Sequence, residues 1–308
     1  MKKFLLHTLV VIGLAFCLAN LIAAGSLWAL RNSSFYKPSF LANAITEDNF
    51  DYIILGASTG LTTLDTKAID SQAGSNGLNL AMDDTGIASA TLMLEHFLAE
   101  GKNTKYVVLA PSLDSYNTKE VSLSDNDYRF LMYANRDYVG MYYDSVAAPN
   151  TMSKTLAASQ VFPVLGVSYF NAEIFYPSLV SMVKPDRRNR FDDRGNYTYP
   201  VGQKQQQSEP KKPYELLFDS PQLAALYELC MQHQIKLIYY ISPVQHKKVE
   251  FKPGDVTIID HSDVIKDDTQ FYDKIHVNSL GRTTTSRIFA DTLKNMLSVN
   301  PLDTVSNE

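Results

Sequence analysis

The sequence predicts an α/β fold built on a mainly parallel sheet and preceded by one transmembrane helix. Three observations lead there. Compact apolar runs rich in β-branched and aromatic residues recur at Tyr52–Leu55, Tyr106–Ala110, Lys236–Ile241 and Val256–Ile259, as in strands that a parallel sheet buries on both faces. Helical periodicity fills the intervals in GIASATLMLEHFLAEG from Gly86, SPQLAALYELCMQHQ from Ser220 and NSLGRTTTSRIFADTLKNML from Asn278. Strands alternating with helices imply right-handed crossovers and parallel pairing. The third observation is the uncharged run of 27 residues from Phe4 to Leu30, where about 20 suffice to cross a bilayer.

Lys2 and Lys3 precede that run, which by the positive-inside rule leaves the N-terminus in the cytoplasm and everything after Arg31 outside, with Trp28 at the far interface. The segment 1–31 reads as a retained signal anchor, because its apolar run exceeds that of a usual signal peptide; the alternative is cleavage near Ala23-Ala24-Gly25. Residues 32–49 read as a linker. The two cysteines, Cys17 in the apolar run and Cys230 in a helical pattern, are not placed to pair. With 45% hydrophobic and 20% charged residues, the remainder can build a core. A net charge of −5 offers no positive surface for phosphate, which excludes nucleic acid as a partner.

The α/β domain should span residues 50–298, with a tail at 299–308. Its rhythm breaks between about 115 and 215. That stretch is rich in aromatics (YRFLMYANRDYVGMYYD), carries a basic turn-rich segment (KPDRRNRFDDRGNYTYP) that suggests a hairpin or long loop, and ends in the polar run Gly202–Pro213, which reads as mobile. It reads as an insertion between the second and third of these strands, serving either as packing or as a wall over the sheet edge.

Two short stretches could carry chemistry. In FDYIILGASTGLTTLD the first strand runs into Gly56-Ala57-Ser58, at the strand end where open α/β sheets bind ligands. Ser58 (or Thr59) could cap the following helix; Ser58 could instead be a nucleophile if a base lies within reach. Near the C-terminus, FYDKIHVNSLG puts Asp273 and His276 three residues apart, just ahead of a helix. Asp273 can accept from one ring nitrogen and leave the other to take a proton from a hydroxyl.

In Gly56-Ala57-Ser58 after the first strand and Asp273-Lys274-Ile275-His276 before the last helix, the chain resembles the SGNH (GDSL-like) hydrolase superfamily over roughly residues 50–115 and 215–298. The resemblance implies a three-layer α/β/α sandwich and a Ser58–His276–Asp273 triad working without metal or organic cofactor. Three departures stand out. Ala57 occupies the usual acidic position, as in membrane-associated, envelope-modifying members. In NLAMDDTG, Ala81 stands where the second block supplies an oxyanion glycine, with Asn79 beside it. The third block has no clear counterpart in VVLAPSLDSYN, although Asp114 and Asn117 lie near the right place.

Among the other polar residues, His246 follows the third strand and should face the ligand edge, as a substrate contact or an exposed loop residue. His96 and His233 read as structural. The run DHSDVIKDD at 260–268 matches no standard metal spacing and reads as a solvated loop. Asn32-Ser33-Ser34 and Asn196-Tyr197-Thr198 fit the glycosylation acceptor pattern.

The expectation is therefore a single-pass inner-membrane protein with its domain on the periplasmic or extracellular side. By resemblance it is a serine esterase or O-acyltransferase acting on acyl, especially acetyl, esters of a cell-surface or secreted glycan. The alternative is a non-catalytic protein of the same fold that binds glycan or assists a membrane-bound acyltransferase.

Overall fold

A computed structural model describes residues 1–146, 151–202, 210–252, 254 and 256–298. In chain order its elements are α1 (Lys2–Arg31), α2 (Lys37–Ala44), β1 (Asn49–Gly56), α3 (Ser58–Thr63), α4 (Thr66–Ala73), β2 (Gly77–Asn79), α5 (Ile87–Ala99), β3 (Asn103–Ala110), α6 (Asp137–Ser145), α7 (Thr151–Ala158), α8 (Val164–Tyr169), α9 (Asn171–Val183), β4 (Lys212–Leu216), α10 (Pro221–Gln232), β5 (Lys236–Ile241), β6 (Lys247–Phe251), β7 (Thr257–Asp260) and α11 (Ser279–Ser298). They form two compact units, Met1–Thr46 with Ser122–Asn189 and Glu47–Val121 with Arg190–Glu308.

The second unit is α/β. Its five-stranded sheet has the order β2-β1-β3-β5-β7 with every pair parallel. Tyr52, Ile54, Val108, Ile238 and Tyr240 share one core with Ile69 of α4 and Phe289 and Leu293 of α11. The alternate residues Ile53, Leu55, Val107 and Leu109 are just as buried, which is why these strands read as unbroken apolar runs. Helix α4 packs on α11, and α5 on α10. The chain leaves β1 toward β2 on one side and β3 on the other, so the order reverses between β1 and β3. Parallel sheets open their ligand crevice at the carboxyl ends of such a strand pair.

All four expected strands are present within a few residues. Three more are not legible in the sequence. β2 has only three residues, too few for a period, and β4 and β6 pair in a separate two-stranded sheet whose largely polar, partly exposed residues give no apolar run. Of the polar run 202–213, residues 203–209 lie outside the described residues, as does the tail 299–308.

The first unit is helical. Helix α1 is long and apolar enough to cross a membrane, with a mean hydropathy of 2.3 over its most apolar window. In its C-terminal third Ala23, Ser26, Ala29 and Leu30 are buried, and the helix packs against α8 and α9. The expected linker 32–49 is in part a helix instead. Pro38 opens α2, and Tyr36, Phe40 and Leu41 are buried, in an apolar stretch too short to show a period. The Ser34 amide donates to the Pro185 carbonyl at 2.6 Å and the Asn189 amide to the Phe35 carbonyl at 2.9 Å. The aromatic-rich stretch folds into a 3₁₀ segment at 127–133 and helices α6–α9. Tyr128, Phe130, Tyr133 and Tyr143 are buried, with Tyr128 stacked on Phe170 at 4.8 Å. Residues 190–202 and 210–215 belong to the α/β unit.

Candidate active site

The turn from β1 into α3 sets the position of Ser58. Gly56 has φ +132°, a conformation that L side chains rarely adopt, and a Cβ there would overlap the Ala110 carbonyl at the end of β3. Ala57, extended, occupies the cap position of α3, and no side chain caps it. Ser58 is therefore the first helical residue rather than its cap. Thr59 does not cap either, since its hydroxyl donates to the Pro111 carbonyl at 3.0 Å. Gly60 lets α3 sit against β3, with 2.8 Å between its notional Cβ and the Ala110 oxygen.

The loop after β7 brings the other two residues to the same point. Ser58 Oγ lies 2.7 Å from His276 Nε2, and His276 Nδ1 lies 2.8 Å from Asp273 Oδ2. The second carboxylate oxygen, Oδ1, accepts the amides of Ile275 and His276 at 2.9 Å each, so the Asp-x-x-His turn closes on its own carboxylate. Partial burial pushes the Asp273 carboxyl up, but hydrogen bonds from the His276 ring and the two amides outweigh it and hold the group below its ordinary value. An ionised Asp273 facing Nδ1 favours the tautomer with the proton there, which leaves Nε2 to accept from Ser58. The His276 side chain is only 12% exposed.

Sequence reasoning missed Tyr199. Its carbonyl accepts the Ser279 amide at 3.0 Å at the head of α11, and its ring stacks on Tyr272 at 4.2 Å and lies 5.3 Å from the His276 ring. It walls one side of the imidazole. Nothing in its own stretch, a turn-rich loop far from residue 276 in the chain, marks it.

The expected oxyanion residues are placed otherwise. Ala81 is fully buried, and its amide donates to Asn79 Oδ1 at 3.1 Å, so that N–H is already committed. Asn79, also fully buried, donates to the Gly60 carbonyl at 3.1 Å and braces α3 from β2. Asp114 accepts from Tyr214 and Lys247, and Asn117 bonds the Glu215 carbonyl and the Leu217 amide, each at 2.8 Å; both hold the β4–β6 ribbon. The donors the chain does offer beside Ser58 are the first amides of α3, since its first helical bond runs from Leu61 N–H to the Ala57 carbonyl. A cavity of about 60 Å³ adjoins the serine turn, lined among others by Thr59, Ser112, Leu113, Ser242, Pro243 and Ile275.

His246 lines a different cleft, with Lys211, Gln245, Asp263 and Asp268, and is no hydrogen-bond partner of Ser58 or His276. In the 260–268 run, His261 is buried against the Tyr240 hydroxyl at 2.9 Å and Asp263 pairs with Lys211 and Lys266. Among the described residues no group of three or more His, Cys, Asp or Glu is placed to hold a metal. Asn196 of the acceptor pattern is buried and bonded to Thr66, a structural position. His96 is fully buried within α5, and His233 ends α10. No protein-family model matches this chain, and no curated protein matches it significantly.

Proposed function

We propose that this protein is an extracytoplasmic serine esterase or O-acyltransferase of the SGNH type, a three-layer sandwich held at the inner membrane by α1, with its domain on the periplasmic or extracellular side. The observation that carries the reading is the continuous relay from Ser58 Oγ through His276 to Asp273, at 2.7 and 2.8 Å, at the carboxyl end of β1. Ser58 Oγ attacks the ester carbonyl while His276 Nε2 takes its proton, and Asp273 steadies the imidazolium. The tetrahedral oxyanion draws on amides at the head of α3. Collapse breaks the bond to the leaving alcohol, which receives the proton from His276, and leaves an acyl-Ser58 ester. Water or a sugar hydroxyl then gives its proton to His276 and attacks that ester, and as the bond to Ser58 breaks His276 returns the proton to Ser58 Oγ.

The cleft lined by Thr59 and Ile275, the chain neighbours of Ser58 and His276, is where the acyl group would sit, and the resemblance makes that group an acetyl ester of a surface or secreted glycan. A fluorophosphonate probe tests the chemistry: it should label the wild-type chain and not Ser58→Ala. A folded wild-type chain that neither labels nor turns over nitrophenyl acetate would favour a second reading, a non-catalytic glycan-binding protein or helper of a membrane-bound acyltransferase. The commitment of the Ala81 amide to Asn79 is the observation on that side.

A further inference from the structure

We propose that the helical unit has a second membrane contact besides α1, formed by the turn before α8 and one face of α9, which lie in the leaflet from which α1 emerges. The inference does not rest on the esterase reading. On α1 the exposed large apolar residues run unbroken from Phe4 to Ile22, Ala23 is the first buried residue, and beyond it Trp28 is exposed, as an interfacial residue would be. At 1.5 Å per residue that stretch is about 28 Å long, the thickness of a hydrocarbon core. The boundary then falls between Ala23 and Trp28.

The turn before α8 reaches below that boundary. The Phe162 ring lies 5.5 Å from the Phe16 ring, and the Val164 amide donates to Asn20 Oδ1 at 3.3 Å. Phe16 precedes Ala23 by seven residues, about 10 Å along the helix. At that depth Val161 is 72% and Phe162 43% exposed. Exposing such side chains to water is unfavourable, and moving them into lipid lowers the free energy.

Helix α9, packed along α1, continues the surface. Phe175, Tyr176, Leu179, Met182 and Val183 keep helical spacing and are all exposed, whereas Ile174, Pro177, Ser178 and Ser181 are buried on the other side. Beyond the stripe come exposed Lys184 and Arg187, with Asp186 between them, a net positive end suited to headgroup phosphate. The depth that the α8 turn shares with α1, and this basic end at the level of the interface, favour lipid over a protein as the occupant.

The test uses the full chain in phosphatidylcholine–phosphatidylglycerol vesicles, with a nitrobenzoxadiazole label at Phe162→Cys, Leu179→Cys or Met182→Cys in a Cys17→Ser background, and at native Cys17 for reference. Cys230 does not compete, being buried with its thiol pushed up to about 12. Brominated lipid should quench the Phe162 label to an extent comparable with Cys17 and the shallower Leu179 and Met182 labels measurably but less, and aqueous iodide should quench none of them. Iodide quenching without bromolipid quenching would overturn the proposal. So would protection from both quenchers, which would mean that a second copy covers the face.

Discussion

Replacing Asp273 by asparagine separates the chemical role of this carboxylate from its structural one. Its Oδ1 accepts two backbone amides at 2.9 Å, and Oδ2 accepts from His276 Nδ1 at 2.8 Å. An asparagine keeps the two amide bonds only by presenting its carbonyl oxygen to them, which turns its NH₂ toward Nδ1. The ring must then hold its proton on Nε2, where it donates to Ser58 Oγ and cannot accept from it. The same tautomer error in a serine protease lowers kcat by about 10⁴, a barrier increase of about 5 kcal/mol. Asp273→Asn should therefore lose on the order of 10³- to 10⁴-fold in nitrophenyl acetate turnover with little change in melting temperature. Asp273→Ala, which deserts both amides and the ring, should also be destabilised, by about 1–3 kcal/mol. A folded Asp273→Asn protein that keeps more than a tenth of wild-type turnover would refute the relay.

The other predictions concern the same turn and the core beneath it. Ser58→Ala and His276→Ala should each abolish turnover, with the double variant hardly worse than either, because residues acting as one unit are not additive; independent losses in the same assay would point to separate roles. Gly56→Ala should lower stability by about 3 kcal/mol or more in denaturant melts, from the positive φ and the overlap with Ala110. Burial holds the His261 imidazole down at about 4. Between that value and about 6.5 the unfolded chain binds the extra proton, so stability should fall as pH drops through this window, by roughly 3 kcal/mol in all. In His261→Gln that loss should be absent from melts at pH 7.5 and 4.5.

The sequence by itself determined what rests on local pattern. The anchor-length helix follows from 27 uncharged residues, and the parallel sheet from strands buried on both faces. Asp273 and His276 are legible because they act within one turn, whose carboxylate binds its own amides. Only the tertiary structure decided what depends on residues far apart in the chain. Whether Ser58 caps a helix or meets an imidazole is settled by a bond across 218 positions. Tyr199 reaches His276 through a bridge to Asn278, and Ala81 loses its free amide to Asn79, whose side chain is turned inward by Gly60. Helix α2 and the pairing of β4 with β6 escaped notice for a related reason. Their residues are held by partners brought from elsewhere in the fold, and a short segment carries no period that reveals such partners.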